Sequence, residues 1–278
     1  MSTHELRRGN FEMQKRFRLR VGTLTFGVLN LALCAGAANV AAPFQALPQS
    51  TAIPVRFVST VDAKNAKAGE IVTAKTMQVI LLPGGGTIAK GTVLVGHVTA
   101  AQAFQFDATP YAHQKPSNIA IHFDKLQNGD IVIPVNLSVR ALASTIDSRE
   151  ATYPHSQDDT DHVGTIKLIG GTEFSPLDRM IQSGDGDAIG YNRKNGVFAK
   201  LIPAEYAGSG ATLHCDGTNA EQSVAIFSPN ACGVYGFAGD YMSNGGQDGS
   251  GTFTLEARGR SVKLYAGSTA LLEVNETK

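Results

Sequence analysis

The chain has 278 residues, 42% of them hydrophobic and 17% charged, with 24 basic and 24 acidic side chains. A charged fraction below the roughly 25% of an ordinary soluble chain, with 30 glycines and no tryptophan, favours short strands and many turns. Six of the basic and two of the acidic residues lie in 1–37. The remainder therefore carries 18 against 22, about −4 with histidine neutral, which leaves no electrostatic footprint for nucleic acid.

The N-terminal segment reads as an export signal. Lys15, Arg16, Arg18 and Arg20 precede the uncharged run VGTLTFGVLNLAL at 21–33, and Ala35-Gly36-Ala37 supplies small residues for cleavage. Ala42 and Ala46 are later cleavage options, and the signal reads best from Met13. A signal peptide over 1–42 is the reading. The alternative is an uncut membrane anchor, for which the run falls short of the roughly 20 residues of a spanning helix. Leu33 stands before Cys34 where a lipidation motif needs a small residue. Membrane contact is expected only through this segment.

Export changes how the cysteines read. With Cys34 in the signal, Cys215 and Cys232 remain, and one pair in an oxidising compartment reads as a disulfide. The alternative is a thiolate metal site with His214.

Residues 43–54 read as a proline-containing linker, and strand punctuation follows. VRFVSTV at 55–61 alternates as a strand. IVTAKTMQVILL at 71–82 places Val72, Ala74, Thr76 and Gln78 on one face and reads as one long strand with a bulge. In LLPGGGTIAKGTVLVG, at 81–96, the glycines, lysine and threonine raise the question of a phosphate-binding loop. The order is Lys90-Gly91-Thr92, not Gly-Lys-Thr, and a β-type run follows where such a loop needs a helix. The stretch reads as a β turn with an exposed lysine.

NIAIHFDKL at 118–126 alternates, with Ile119, Ile121 and Phe123 opposite His122 and Asp124. Asn128-Gly129 is suited to a type I′ hairpin turn, and IVIPVNLSVRAL returns with Pro134 at an edge or bulge. Residues 146–172 are a polar break. SPLDRMIQS, from Ser175, reads as a short helical turn with Pro176 at its first position. NGVFAKLIPAEY reads as a strand, and CGVYGFAGDYMSNGGQDGSG, from Cys232, as a glycine-rich loop. Two or three closing strands are separated by Arg258-Gly259-Arg260 and Ala266-Gly267.

IAKGTVLVGHV resembles the strand–turn–strand signature I-P-x-G-[ST]-x-L-x-G of the TrbI-like β-barrel domain of conjugation and type IV secretion core-complex proteins. The likeness extends to GEIVTAKTMQVIL, IAIHFDKLQNGDIVIPV and the closing VKLYAGSTALLEV. It covers about 55–142 and 251–274, and the same module resembles that of secreted bacterial proteins outside secretion operons. Ala89 stands where the signature has proline, and the family's long proline-rich linker and paired apolar helices have no counterpart. The resemblance implies a β-barrel module with envelope protein partners or self-association.

Candidate chemistry is sparse. HSQDDTDH gathers His155, Asp158, Asp159, Asp161 and His162, which fits either a cation site or a solvated acidic loop. SGDGDAIGYN offers Asp185, Asp187 and Asn192 without the spacing of a calcium loop. No G-x-S-x-G elbow is present. His97 and His122 fall inside strands and read as barrel-face or satisfied interior residues rather than catalysts. Seven Tyr and Phe residues between 191 and 241 suit either a recognition surface or a core beneath long loops.

The expectation is an all-β protein: one barrel-like or sandwich domain with core strands from 55–142 and 251–274, and a large loop-rich insertion at 146–250 pinned by the disulfide. The function expected is that of a non-enzymatic exported cell-envelope structural or binding protein without a cofactor, in the periplasm, the envelope or secreted. A component of a secretion-like envelope complex and an envelope hydrolase are the alternatives.

Overall fold

The structure is a computed structural model and describes residues 46–82, 85–155, 164–207, 212–245 and 251–275. All belong to the compact unit Pro43–Lys278. The signal segment lies outside the described residues. Among the described residues no helix is long and apolar enough to cross a membrane.

Ten strands build one sheet. They are β1 (Ala52–Phe57), β2 (Ile71–Thr76), β3 (Val93–Gln102), β4 (Ser117–Asn128), β5 (Ile131–Pro134) and β6 (Leu137–Ala143), then β11 (Gly233–Tyr235), β12 (Asp240–Asn244), β13 (Thr252–Ala257) and β14 (Thr269–Val274). Between them, β7 (Met180–Gln182), β8 (Ala188–Arg193), β9 (Gly196–Lys200) and β10 (Glu221–Ser223) form a separate four-stranded sheet. The large sheet runs β11-β6-β14-β1-β2-β3-β4-β13-β12, with β5 on β4. It is nearly closed, so the molecule is an all-β, barrel-like protein, as the alternating sequence predicts.

Closure uses a side chain as a strand. β11 pairs in parallel with β6 at Ala141 to Ala143. Two residues earlier on β6, the Asn244 amide at the end of β12 takes the same role. Val139 N donates to its Oδ1 at 2.9 Å, and its Nδ2 donates to Val139 O at 2.8 Å. A carboxamide can replace a peptide unit in this way because it carries the same donor and acceptor.

The interior follows the period-two pattern. Val72, Ala74 and Thr76 are buried while Ile71 and Lys75 are exposed. Ile53, Val55, Leu94, Ile121 and Leu272 fill the barrel with Phe57, Phe123 and Phe253. The Phe123 and Phe253 rings stack at 5.9 Å. Bulges bend the wall. Val95 faces Lys125 and Gly96 faces Phe123, so Asp124 is the extra residue on β4. The step returns Leu126 to the interior.

Five readings change. The run at 71–82 breaks after Thr76, because residues 77–79 leave β2 and Ile80–Leu81 pairs with Thr87–Ile88 instead. The hairpin pairs Asn128 with Ile131, so its loop residues are Gly129 and Asp130. Only Gly129 has a positive φ, at +59°; this is the type II′ pattern, not type I′. At 175–178 there is a turn and no helix, with Asp178 N bonded to Ser175 O at 3.0 Å. The glycine-rich stretch after Cys232 supplies β11 and β12, so the large sheet draws on 233–244 as well as on the flanking segments. β1 begins at Ala52, within the stretch read as a linker, and Pro134 closes β5, which pairs only with β4.

Gly96 marks a close backbone approach of β3 and β4 in the wall. A Cβ there would lie 2.3 Å from the His122 carbonyl oxygen. Gly96→Ala is expected to lower unfolding free energy by about 1–3 kcal/mol in urea titration. At Gly184, where a Cβ meets nothing within 4 Å, the change to Ala should stay within about 0.5 kcal/mol.

Candidate functional site

Much of the segment between β6 and β11 is fastened to the outer face of β1, β14 and β6. That face is made of small or apolar residues: Ala52, Ala141, Ala143 and Leu271, all buried against Leu201, Phe227 and their neighbours. Alanines let the second layer come close. β6 and β14 are therefore buried on both faces, which explains their near-continuous apolar sequences.

Arg140 on β6 is the exception in that layer, and it is 1% exposed. Its Nε donates to Ala231 O at 3.0 Å, and its Nη2 to Ile202 O at 2.6 Å and to Pro229 O at 3.5 Å. Its Nη1 donates to Asp216 O and, at 3.3 Å, to Glu273 Oε1. All five guanidinium N–H groups thus meet acceptors. Burial pushes the Arg140 guanidinium below its ordinary value and the Glu273 carboxyl above its own, each against the attraction of the other. Four main-chain carbonyls and one ion pair together cage this charge.

The expected disulfide is formed. Cys215 and Cys232 are bonded, with Cα atoms 6.0 Å apart. Each neighbours a cage carbonyl, at Asp216 and Ala231 respectively. The thiolate alternative does not arise, and the His214 Nε2 pairs instead with Asp216 Oδ1 at 3.1 Å. Three more buried side chains stitch the layers. Gln78 Nε2 donates to Val197 O at 2.7 Å and its Oε1 accepts from Val197 N at 2.9 Å. Gln222 Oε1 accepts from Ala52 N at 2.9 Å, and Ser223 Oγ donates to Val79 O at 2.9 Å.

Where the two layers part, a groove of about 520 Å³ opens. Arg56 on β1, Lys90 in the turn before β3, and Arg193 and Lys194 at the β8–β9 hairpin bring four cations to it. Met77, Val79, Val197 and Ile226 supply an apolar lining, and no carboxylate lines the groove among the described residues. Glu221 Oε1 accepts from Arg193 Nη2 at 2.7 Å from outside the lining. The same guanidinium sits 5.3 Å from the Tyr191 ring centre and 5.7 Å from that of Phe198. Ala225, on the groove wall, has φ +50°, a left-handed conformation that costs a non-glycine residue energy.

A second polar cluster lies on β3 and β4. His97 and His122 face each other in register. Asp124, which the bulge turns outward, has Oδ2 3.0 Å from His97 Nδ1 and Oδ1 4.0 Å from His122 Nε2. The two histidines read as barrel-face or interior residues are therefore a pair around one carboxylate.

Of the acidic-loop candidates only His155 is among the described residues. His155 Nε2 lies 3.0 Å from the Glu150 carbonyl, whereas Asp158, Asp159, Asp161 and His162 lie outside the described residues. Asp185 and Asp187 stand at the β7–β8 turn, and Asn192 is in β8. Among the described residues no group of three or more His, Cys, Asp or Glu is placed to hold a metal ion. The aromatic set divides: Phe198 and Phe227 are core, and Tyr191 is 42% exposed. Lys90 is exposed in its turn, and Val93–Gln102 after it is a strand.

Arg140 was not among the residues singled out from sequence. Its one sequence signal is an arginine inside LSVRALA, a run otherwise without charge. Comparison of the chain with family models, curated proteins and solved structures finds no match.

Replacing Cys215 and Cys232 together by Ser opens a 17-residue loop and releases the Asp216 and Ala231 carbonyls. The guanidinium unfolding midpoint is expected to fall by the equivalent of about 3 kcal/mol. An unchanged midpoint would contradict a bridge that organises the cage.

Proposed function

We propose that this chain is a non-enzymatic exported protein of the cell envelope, with the barrel as scaffold and the fastened second layer as its recognition surface. The observation that carries the reading is the mounting of that layer. A caged arginine, a disulfide and three amide or hydroxyl stitches hold it rigidly, yet leave an open groove at the seam. Recognition sites are built in this manner, with loops held by a rigid frame and a groove kept accessible. The disulfide supports an oxidising compartment.

The resemblance of 88–98 to TrbI-like barrels supports a second reading, a component of a conjugation-like envelope complex, where assembly would be symmetric. Light scattering on the exported protein separates the two. The first predicts a monomer that co-sediments saturably with isolated envelope and turns over no glycan, ester or peptide substrate. A discrete large ring would favour the second reading, and turnover of any of those substrates would contradict both.

A further inference from the structure

We propose that the seam groove is a binding site for adjacent phosphate groups, on a free anion or on a lipid headgroup. This rests on the recognition reading above and names the ligand chemistry of that groove.

Arg56, Lys90, Arg193 and Lys194 come from three separate elements and meet at one opening in a body that carries about −4. Of these four cations only Arg193 has a carboxylate within 4.0 Å among the described residues, and that partner lies outside the groove lining. Arg56, Lys90 and Lys194 form no ion pair there. Lys75, opposite Arg56 in the β1–β2 register, adds a further positive charge beside them. Gathering like charges without a counterion is unfavourable, so the arrangement is one that an anion completes.

The number of charges selects the anion. One carboxylate neutralises a single cation. A phosphate group carries roughly −1.5 to −2 at neutral pH and three acceptor oxygens. Two adjacent phosphates match three uncompensated cations and one oriented arginine. Arg193 is oriented before any ligand arrives, because Glu221 holds one end of its fork and the Tyr191 ring supports its plane. Bidentate contact to a phosphate then needs little reordering. Met77, Val79 and Ile226 provide an apolar floor beside the cations, suited to the hydrocarbon next to a headgroup.

The test uses the protein purified after export of the full chain. Inorganic pyrophosphate is titrated calorimetrically, and vesicles of cardiolipin are compared with phosphatidylcholine in flotation. The groove variant is Lys90→Ala with Lys194→Ala, both at exposed turn positions. Lys64→Ala with Lys115→Ala, exposed and outside the groove, removes the same charge elsewhere. Expected is saturable one-to-one binding of at least one probe, weakened about tenfold or more in the groove variant and less than about twofold in the control. Pyrophosphate binding assigns the site to a free anion, and binding to cardiolipin vesicles alone assigns it to a lipid headgroup. Absence of saturable binding to both probes, or equal weakening in both variants, overturns the proposal. Envelope co-sedimentation run on the same proteins separates the two claims. If it persists in wild type without phosphate binding, only the phosphate site falls; if it is absent as well, the recognition reading falls too.

Discussion

The second layer of this molecule depends on one buried charge. Removing a guanidinium from water is expensive, and it is tolerated only when every donor is met. Arg140 meets that condition with four main-chain carbonyls and one carboxylate, drawn from segments 62 to 133 residues away in sequence. The carbonyls need the arginine as much as it needs them. They belong to the loops around Ile202, Asp216 and Pro229–Ala231, which have little regular structure of their own. The disulfide supplements the cage from the side, since both cysteines flank residues whose carbonyls point into it.

The remaining stitches repeat the same solution at lower charge. Gln78 pairs with both main-chain groups of Val197, and Asn244 does the same with Val139 across the barrel gap. The Asn244 carboxamide stands where a strand neighbour is missing, and that of Gln78 shares the Val197 carbonyl with Val224 N. Gly196 is required at the first site, because a Cβ there would lie 2.1 Å from Gln78 Oε1. Tight, directional contacts of this kind fix the layers against each other. They also fix the position of the seam, and so the spacing of Arg56, Lys90, Arg193 and Lys194, which no single element determines.

The sequence made the barrel legible and the seam largely illegible. Alternation at 71–76 and, up to the bulge at Asp124, in the run 118–126, the glycine turns at Gly91, Gly259 and Gly267, and the pairing of Cys215 with Cys232 are local signals, and the structure agrees with each. β11 and β12 were hidden because their strand runs are three and five residues long and lie among glycines, so pairing with β6 and β13 decides them, not propensity. The hairpin frame at Gly129 shifted because register is set by partner strands as well as by the dipeptide. Gln78 read as one more residue on the strand face of Val72, Ala74 and Thr76, although the strand ends two residues before it. Arg140 and the four groove cations are contacts between distant segments, and charge in a linear sequence does not say which charges meet.

The most direct test of the dependence on Arg140 is amide hydrogen exchange followed by mass spectrometry in the wild-type protein and in Arg140→Lys. Lysine keeps the charge but loses the planar fork and two of the five donors. In wild type, amides of β9 and β10 should exchange together with those of β3 and β4, as one cooperative unit. In the variant, β9 and β10 should exchange about a hundredfold faster, equivalent to losing roughly 3 kcal/mol, with β3 and β4 unchanged. Equal protection of β9 and β10 in both proteins would contradict the account, and so would independent opening of that layer in wild type.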